Sequence, residues 1–407
     1  MNLPPPPDAA DPRSTPWQVL WVFLRLGLTS FGGPVAHLAY FRTEFVERRR
    51  WLDERSYADL VALCQFLPGP ASSQVGIAVG LARGGWWGSL AAWAGFTLPS
   101  ALLMIGFAFG LTQHREWAGS GAVHGLKVAA VAVVAQAVWG MARQLCPDRL
   151  RAALAIAAAL LVLAVPGVFA QVGAIVASGL LGWALLKLPG QATVAHRPFG
   201  VSRRAGALAL ALFFAGLAGL PVLAAALGSP LWHTVDAFYR AGALVFGGGH
   251  VVLPLLQQSV LPTGAVGPAE FLAGYGAAQA LPGPLFSFAA YLGAVMEPAR
   301  GGATGWAGGL ICLVAIFLPG WMLEVGTLPF WDALRQRPAL QSALAGTNAG
   351  VVGLLLAALY DPVWTGAIVS RGDFGLALAA FGLLVFGRVS PVFVVALAAA
   401  AGWVLGT

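Results

Sequence analysis

The chain repeats itself. Residues 25–33, RLGLTSFGG, return as residues 240–248, RAGALVFGG, pairing Arg25, Gly27, Phe31, Gly32 and Gly33 with Arg240, Gly242, Phe246, Gly247 and Gly248 at an offset of 215. At an offset of 214, QFLPGPASS from Gln65 meets QALPGPLFS from Gln279, so that Pro68, Gly69, Pro70 and Ser73 pair with Pro282, Gly283, Pro284 and Ser287. At an offset of 220, Gly85, Trp86, Gly88, Leu98 and Pro99 meet Gly305, Trp306, Gly308, Leu318 and Pro319. Ordered matches over three successive segments mark a duplication, with one short deletion and one insertion of about six residues between the copies.

The duplicated unit is a set of apolar helices. Stretches of helical length lie at 17–46, 58–83, 86–112, 121–143, 150–166, 168–187, 205–227, 234–261, 269–296, 303–325, 341–360, 374–387 and 389–406. With 58% hydrophobic and 10% charged residues, the chain cannot coat a soluble surface of this size. An all-α polytopic membrane protein follows. A Pro-rich tail (1–16) precedes a first repeat (17–190), a linker (191–233) holding one helix, and a second repeat (234–407). If each repeat makes an even number of crossings, that linker helix inverts the second repeat, which is a transporter architecture.

Positive charge discriminates between topologies. If all thirteen segments cross with the amino terminus cytoplasmic, Lys and Arg divide twelve inside to eight outside, and Arg42, Arg48, Arg49, Arg50 and Arg55 fall on the wrong side. If the two Gly/Pro-broken segments opening each repeat are instead re-entrant hairpins, the division becomes seventeen to three. This arrangement predicts nine crossings and an external carboxyl terminus. It also accounts for the sequence pI of 9.8 without nucleic acid. The three cysteines, Cys64, Cys146 and Cys312, have no metal-ligand spacing and read as small buried hydrophobes.

The breaks carry the chemistry. FGGP at 31–34 and LPGP at 67–70 interrupt apolar helices, which leaves main-chain groups free at membrane depth, tolerated only inside protein or along an aqueous path. Pro34 and Pro70 suit the first turn of the following half-helix, whose free amides and positive end attract anions. Candidate substrate contacts are therefore Gly32, Gly33, Pro34, Pro68, Gly69, Pro70, Ser72 and Ser73, with Gly247, Gly248, Gly249, Pro282, Gly283, Pro284 and Ser287 in the second copy. Gln65 and Gln279 match and either orient substrate or bond a freed carbonyl. Arg25 and Arg240 stand six residues before their Phe-Gly-Gly breaks in apolar surroundings, where a guanidinium is expensive unless it has a task; snorkelling or a fixed carboxylate partner is the bland alternative. For ion coupling, Glu44, Glu324 and Lys127 are the candidates, while Glu47, Asp53, Glu54 and Asp59 read as solvated partners of Arg48–Arg50. His37 and His250 follow the breaks at unmatched positions, so the duplication does not single them out.

The FGGP near the amino end, the basic stretch after it, the QFLPGPASSQ run and the second copies FGGGH and QALPGP resemble the chromate transporter family in its long, two-repeat form. The resemblance covers nearly the whole chain outside the Pro-rich tail. It implies an antiporter exporting chromate from the cytoplasm across the inner membrane, conferring chromate resistance, with sulfate a competing analogue and an ion gradient the energy source. Chromate, sulfate and membrane lipids are the expected partners, a homodimer is compatible with the sequence, and no cofactor is implied. Gly249 stands where the first copy has Pro34, so the half-sites need not be equivalent. The chain has no GxxxxGK[ST] nucleotide motif. Two alternatives stay open: an intramembrane enzyme acting on phosphorylated lipids, although no paired His or carboxylates stand at matched positions of the breaks to serve as acid and base, and a passive anion channel.

Overall fold

A computed structural model of the chain describes residues 14–113, 120–165, 167–188, 200–246 and 249–405, and among these there is no β-strand. Helix α1 (Pro16–Thr29) starts from a capping box in which the Thr15 hydroxyl accepts the Gln18 N–H and Gln18 accepts the Thr15 N–H. It stops at Ser30, after which Gly32 and Gly33 take φ of 96° and 78°, values that L side chains rarely adopt. Pro34 sits in the first turn of α2 (Gly33–Arg42), which continues as a π-helical turn over Thr43–Arg48. Asp53 caps α3 (Glu54–Phe66); LPGP ends that helix, with Gly69 at φ 125°, and α4 (Ala71–Gln113) follows. At Gly85 (φ 63°, ψ −155°) α4 reverses, and a methyl group on Gly80 would strike the Gly88 carbonyl. α5 (Gly121–Leu145), α6 (Arg149–Ala164) and α7 (Val168–Leu185) complete this half, and α8 (Arg203–Leu227) links it to the next.

The second half runs through α9 (Pro230–Ala243), α10 (Val252–Val260), α11 (Pro268–Ala280), α12 (Phe288–Val295), α13 (Pro298–Gly301), α14 (Gly305–Thr327), α15 (Trp331–Arg335), α16 (Pro338–Ala358), α17 (Thr365–Ala367), α18 (Arg371–Val385) and α19 (Pro391–Leu405). The order of the longer elements is that of the first half, with the short α13, α15 and α17 added. The tight bend in α4 becomes residues 296–304, which contain α13, and here the six extra residues are absorbed; Gly293 and Gly308 repeat the Gly80–Gly88 approach.

Contacts fix which ends coincide. Arg83, finishing the first limb of α4, reaches the Ser14 hydroxyl (3.4 Å) ahead of α1 and lies 5.1 Å over the Trp51 ring beyond α2. Both broken segments of the first half therefore fold back to one end. In the second half Gly302 abuts Leu231 at the start of α9, Arg300 donates to the Thr263 carbonyl (2.6 Å), and the Glu297 N–H donates to the Ala265 carbonyl (3.1 Å). The long limb of α4 spans from the first meeting place to the second, where Phe109 lies 5.8 Å from Trp306. α14 returns antiparallel, its Trp321 indole donating to the Ser89 hydroxyl at 2.8 Å. Hairpins of the two halves thus open at opposite ends.

The peripheral helices are exchanged between halves. α5 packs against α18 and α19, and α16 against α6 and α7. Gly125 abuts Ala398 and Gly402, while Gly346 abuts Ser178 and Gly182, close backbone approaches that small residues permit. The linker helix α8 lies against α9 and α14, where the Tyr239 hydroxyl donates to the Phe213 carbonyl at 2.9 Å.

Among the described residues, five stretches are long and apolar enough to cross a membrane: Ala71–Gln113, Gly121–Leu145, Arg203–Leu227, Gly305–Leu334 and Pro338–Ala367. They correspond to five of the nine expected crossings. The other four, α6, α7, α18 and α19, have 16, 18, 15 and 15 residues, short of the ~20 a full crossing needs. Their turns fall at Gly167 (φ 128°) and Arg388 (φ 51°), where the expected segments also divide. Leu160, Phe169, Leu208, Phe214, Leu378 and Phe393 are all more than half exposed, an apolar perimeter suited to lipid.

Candidate functional site

The breaks meet in the centre. The Gly69 N–H donates to the Val245 carbonyl at 2.7 Å, and the Gly283 N–H donates to the Ser30 carbonyl at 2.9 Å. Gly283 is the counterpart of Gly69, and Val245 of Ser30, so each LPGP loop is tied to the Phe-Gly-Gly break of the other half by the same bond. Around Gly69 a β-carbon would meet the Gln74 amide at 2.9 Å and the Gly320 α-carbon at 3.3 Å; around Gly283 it would meet the Ser100 hydroxyl at 2.9 Å and the Phe96 carbonyl at 3.1 Å. Ser100 and Gly320 are also counterparts. Gly249 faces Pro34, and Gly33 faces the His250 ring. Gly247 and Gly248 lie outside the described residues.

The flanking side chains are less symmetric. Ser72 and Ser73 are buried at the start of α4, Ser72 against His37 Nδ1 at 3.3 Å. Ser287 is buried too, but its hydroxyl donates to the Pro284 carbonyl of its own loop at 2.8 Å. Pro68, Pro70, Pro282 and Pro284 shape the two loops. Gln65 is exposed, whereas Gln279 is half-buried beside the Tyr275 hydroxyl. Gln74, which the motif comparison passes over, straps the first loop across the halves by donating to the Pro68 (3.0 Å) and Gly320 (3.3 Å) carbonyls.

The two arginines differ as well. Arg25 lies on the wall of a cleft of about 560 Å³ between α1 and α2, with Thr29, Tyr40, Thr43, Glu44 and Arg48, and among the described residues no ion pair joins it. Arg240 is paired with Asp236, one turn earlier on α9 and 3% exposed. The fixed carboxylate is thus realised at one arginine; Trp21 occupies the matching place before Arg25.

Glu44 is held by Arg49 (2.5 Å) and Arg48 (3.3 Å). Arg42 pairs with Glu47 and, at 2.8 Å through both of its forks, with Glu54; their carboxylates keep its charge fixed and its guanidinium in turn holds the Glu54 carboxyl below the usual range. Lys127 lies on α5 within electrostatic reach of Asp373 on α18, whose carboxylate meets His124 Nε2 at 2.8 Å. Glu324 is fully buried; the Cys64 thiol donates to one of its oxygens at 3.5 Å and the other has no partner among the described residues. Cys64 therefore does more than fill space, and sequence spacing gives no sign of it.

Buried helix breaks tied across two matched halves, within a lipid-suited perimeter, define a polytopic membrane protein of transporter architecture. The chain belongs to the chromate transporter family, which matches residues 17–183 and 232–403. It is 29% identical to the chromate transport protein of Pseudomonas aeruginosa, over 98% of this chain and 94% of that one, and 26% identical to the chromate transport protein of Cupriavidus metallidurans, over 99% and 98%. An uncharacterized transporter of Methanocaldococcus jannaschii is 24% identical over 88% and 87%. No solved structure matches the chain.

Proposed function

We propose that this chain is a secondary transporter exporting chromate, or a similar tetrahedral oxyanion such as sulfate, across the inner membrane in exchange for protons, with its amino terminus cytoplasmic. The observation that carries the reading is the reciprocal pair of main-chain bonds, Gly69 to Val245 and Gly283 to Ser30. Broken helices that meet at a pseudo-two-fold axis offer free amides and helix N-termini to an anion, and rocking one half against the other exposes such a site to each side in turn. The opposite openings of the hairpins support inverted, re-entrant repeats. Arg25, in the cleft between α1 and α2, draws the anion toward the first break. Glu324, unpaired by any cation among the described residues and seated between α3 and α14, is the proton carrier.

Proteoliposomes test this directly. Chromate flux should be concentrative against its own gradient when a proton gradient is imposed, fall when sulfate competes, and drop to passive levels when the proton gradient is collapsed. Flux that never exceeds equilibration points to a channel, and concentrative flux indifferent to the proton gradient removes the coupling.

A further inference from the structure

Five polar atoms around the first break are buried without a partner among the described residues, on side chains no more than 3% exposed: Gln74 Oε1, which can only accept, and four that can donate, Ser30 Oγ, His37 Nε2, Ser73 Oγ and Thr97 Oγ1. A buried polar atom is costly unless something meets it. The four are linked. The His37 ring stands edge-on to Phe96 at 5.3 Å, next to Thr97, and its Nδ1 lies 3.3 Å from Ser72, next to Ser73. The Ser30 carbonyl receives the Gly283 N–H and is also a hydrogen-bond neighbour of the His37 ring, and Gly283 faces the Phe96 carbonyl. Across the gap a β-carbon on Gly33 would lie 4.0 Å from His250 Nε2, whose ring partner Nδ1 is 3.0 Å from the Tyr275 hydroxyl. A neutral imidazole whose Nδ1 accepts from a hydroxyl carries its proton on Nε2 and donates from it, the tautomer that an oxyanion facing Nε2 would select in both rings.

Among the described residues the second break carries no unpartnered hydroxyl or imidazole; the buried unpartnered atoms on its flanks are the amide nitrogen of Gln279, just before its LPGP loop, and the indole nitrogen of Trp93, whose ring stands 5.9 Å from Phe317. The counterparts of Ser30, His37, Ser72 and Thr97 are Val245, Val252, Phe286 and Phe317, and the Phe286 and Phe317 rings pack together at 5.5 Å. Ser287, the counterpart of Ser73, spends its hydroxyl within its own loop.

We propose that one tetrahedral oxyanion binds off the axis of the duplication, against the first break, held by uncharged O–H and N–H donors, with His37 Nε2 the specificity-determining one. The inference rests on the oxyanion-transport reading. Four acceptor oxygens on the anion meet hydroxyls, imidazole N–H groups and the opening amides of α2 and α4, while the aromatic wall opposite excludes a second ion.

Isothermal titration of chromate into the purified full-length protein in nanodiscs tests it, with thermal unfolding of each ligand-free variant alongside. The expected result is one chromate per chain. Thr97→Val, which removes only a hydroxyl, and His37→Leu should each weaken binding tenfold or more at unchanged or raised ligand-free Tm; His37→Gln, which keeps an N–H donor, should recover most of the affinity. Ser259→Ala, in the second half with its hydroxyl on the Leu255 carbonyl, should bind as the parent does. Two chromates per chain, or parental affinity in both Thr97→Val and His37→Leu, overturns the one-sided site alone. A parent protein that neither binds nor transports chromate, sulfate or molybdate overturns the reading beneath it.

Discussion

Arg25 and Arg240 are counterparts that the fold puts to different uses, and their substitution should separate them. Arg25→Gln should abolish chromate transport with little change in Tm, because no described ion pair is broken. Arg240→Gln strands the buried Asp236. Breaking a buried pair by removing one partner costs about 3–5 kcal/mol, and since the Arg240 side chain is 36% exposed the lower end applies. Thermal unfolding in detergent should therefore drop for Arg240→Gln and recover in the Asp236→Asn/Arg240→Gln double variant; an unchanged Tm in the single variant would show that the pair carries no stability. At the cap of α3, the Ser56 N–H and hydroxyl bond the Asp53 carboxylate at 2.9 and 2.7 Å and hold it below the usual aspartate range. A depressed carboxyl stabilises the fold above its unfolded titration range, and that contribution is lost as pH falls through the lower folded value. Asp53→Ala should cost about 1 kcal/mol at neutral pH, and the gap from the parent should narrow in acid, as melts from pH 7 downward would reveal.

Among elements, the breaks test how rigidly the centre is specified. Gly69 and Gly33 both have positive φ, but Gly69 is enclosed by Gln74 and Gly320, whereas Gly33 faces only the His250 ring at 4.0 Å. Gly69→Ala should lower the yield of folded protein more than Gly33→Ala, in which strain acts without collision; equal yields would mean that the loop moves freely. The breaks themselves are legible in sequence, since FGGP and LPGP admit no continuous helix. Their partners are not, because the Gly69–Val245 bond runs from main chain to main chain between halves and leaves no trace in residue type. Asp236 is readable one turn before Arg240, yet a comparison of repeats hides it behind Trp21. His37 and His250 are hidden for the same reason: a search for matched groups rejects residues whose counterparts are valines, and here the asymmetry marks the donors. Gly167 is legible as a turn, and the segments 150–166 and 168–187 on either side of it match Arg149–Ala164 and Val168–Leu185 to within two residues.

At the scale of the molecule, the exchange of helices makes each half incomplete without the other. α5 finds its packing on α18 and α19, and α16 on α6 and α7; the backbone contacts of Gly125 with Ala398 and of Gly346 with Ser178 are close enough that any larger residue must separate the helices. α8 rests on α9 and α14, so the natural division between halves precedes it. Residues 1–195 alone leave α6 and α7 without α16, and residues 196–407 alone leave α18 and α19 without α5. Neither half buries its contact face in lipid as well as in its partner, because association there depends on the close packing of small residues rather than on apolar character. Each half expressed by itself should therefore be degraded or aggregate, and co-expression should yield a complex that co-purifies through a tag on one half and transports chromate. A first half that purifies as a stable monomer would mean that the exchanged contacts contribute little, and that the duplication still folds as two separate units.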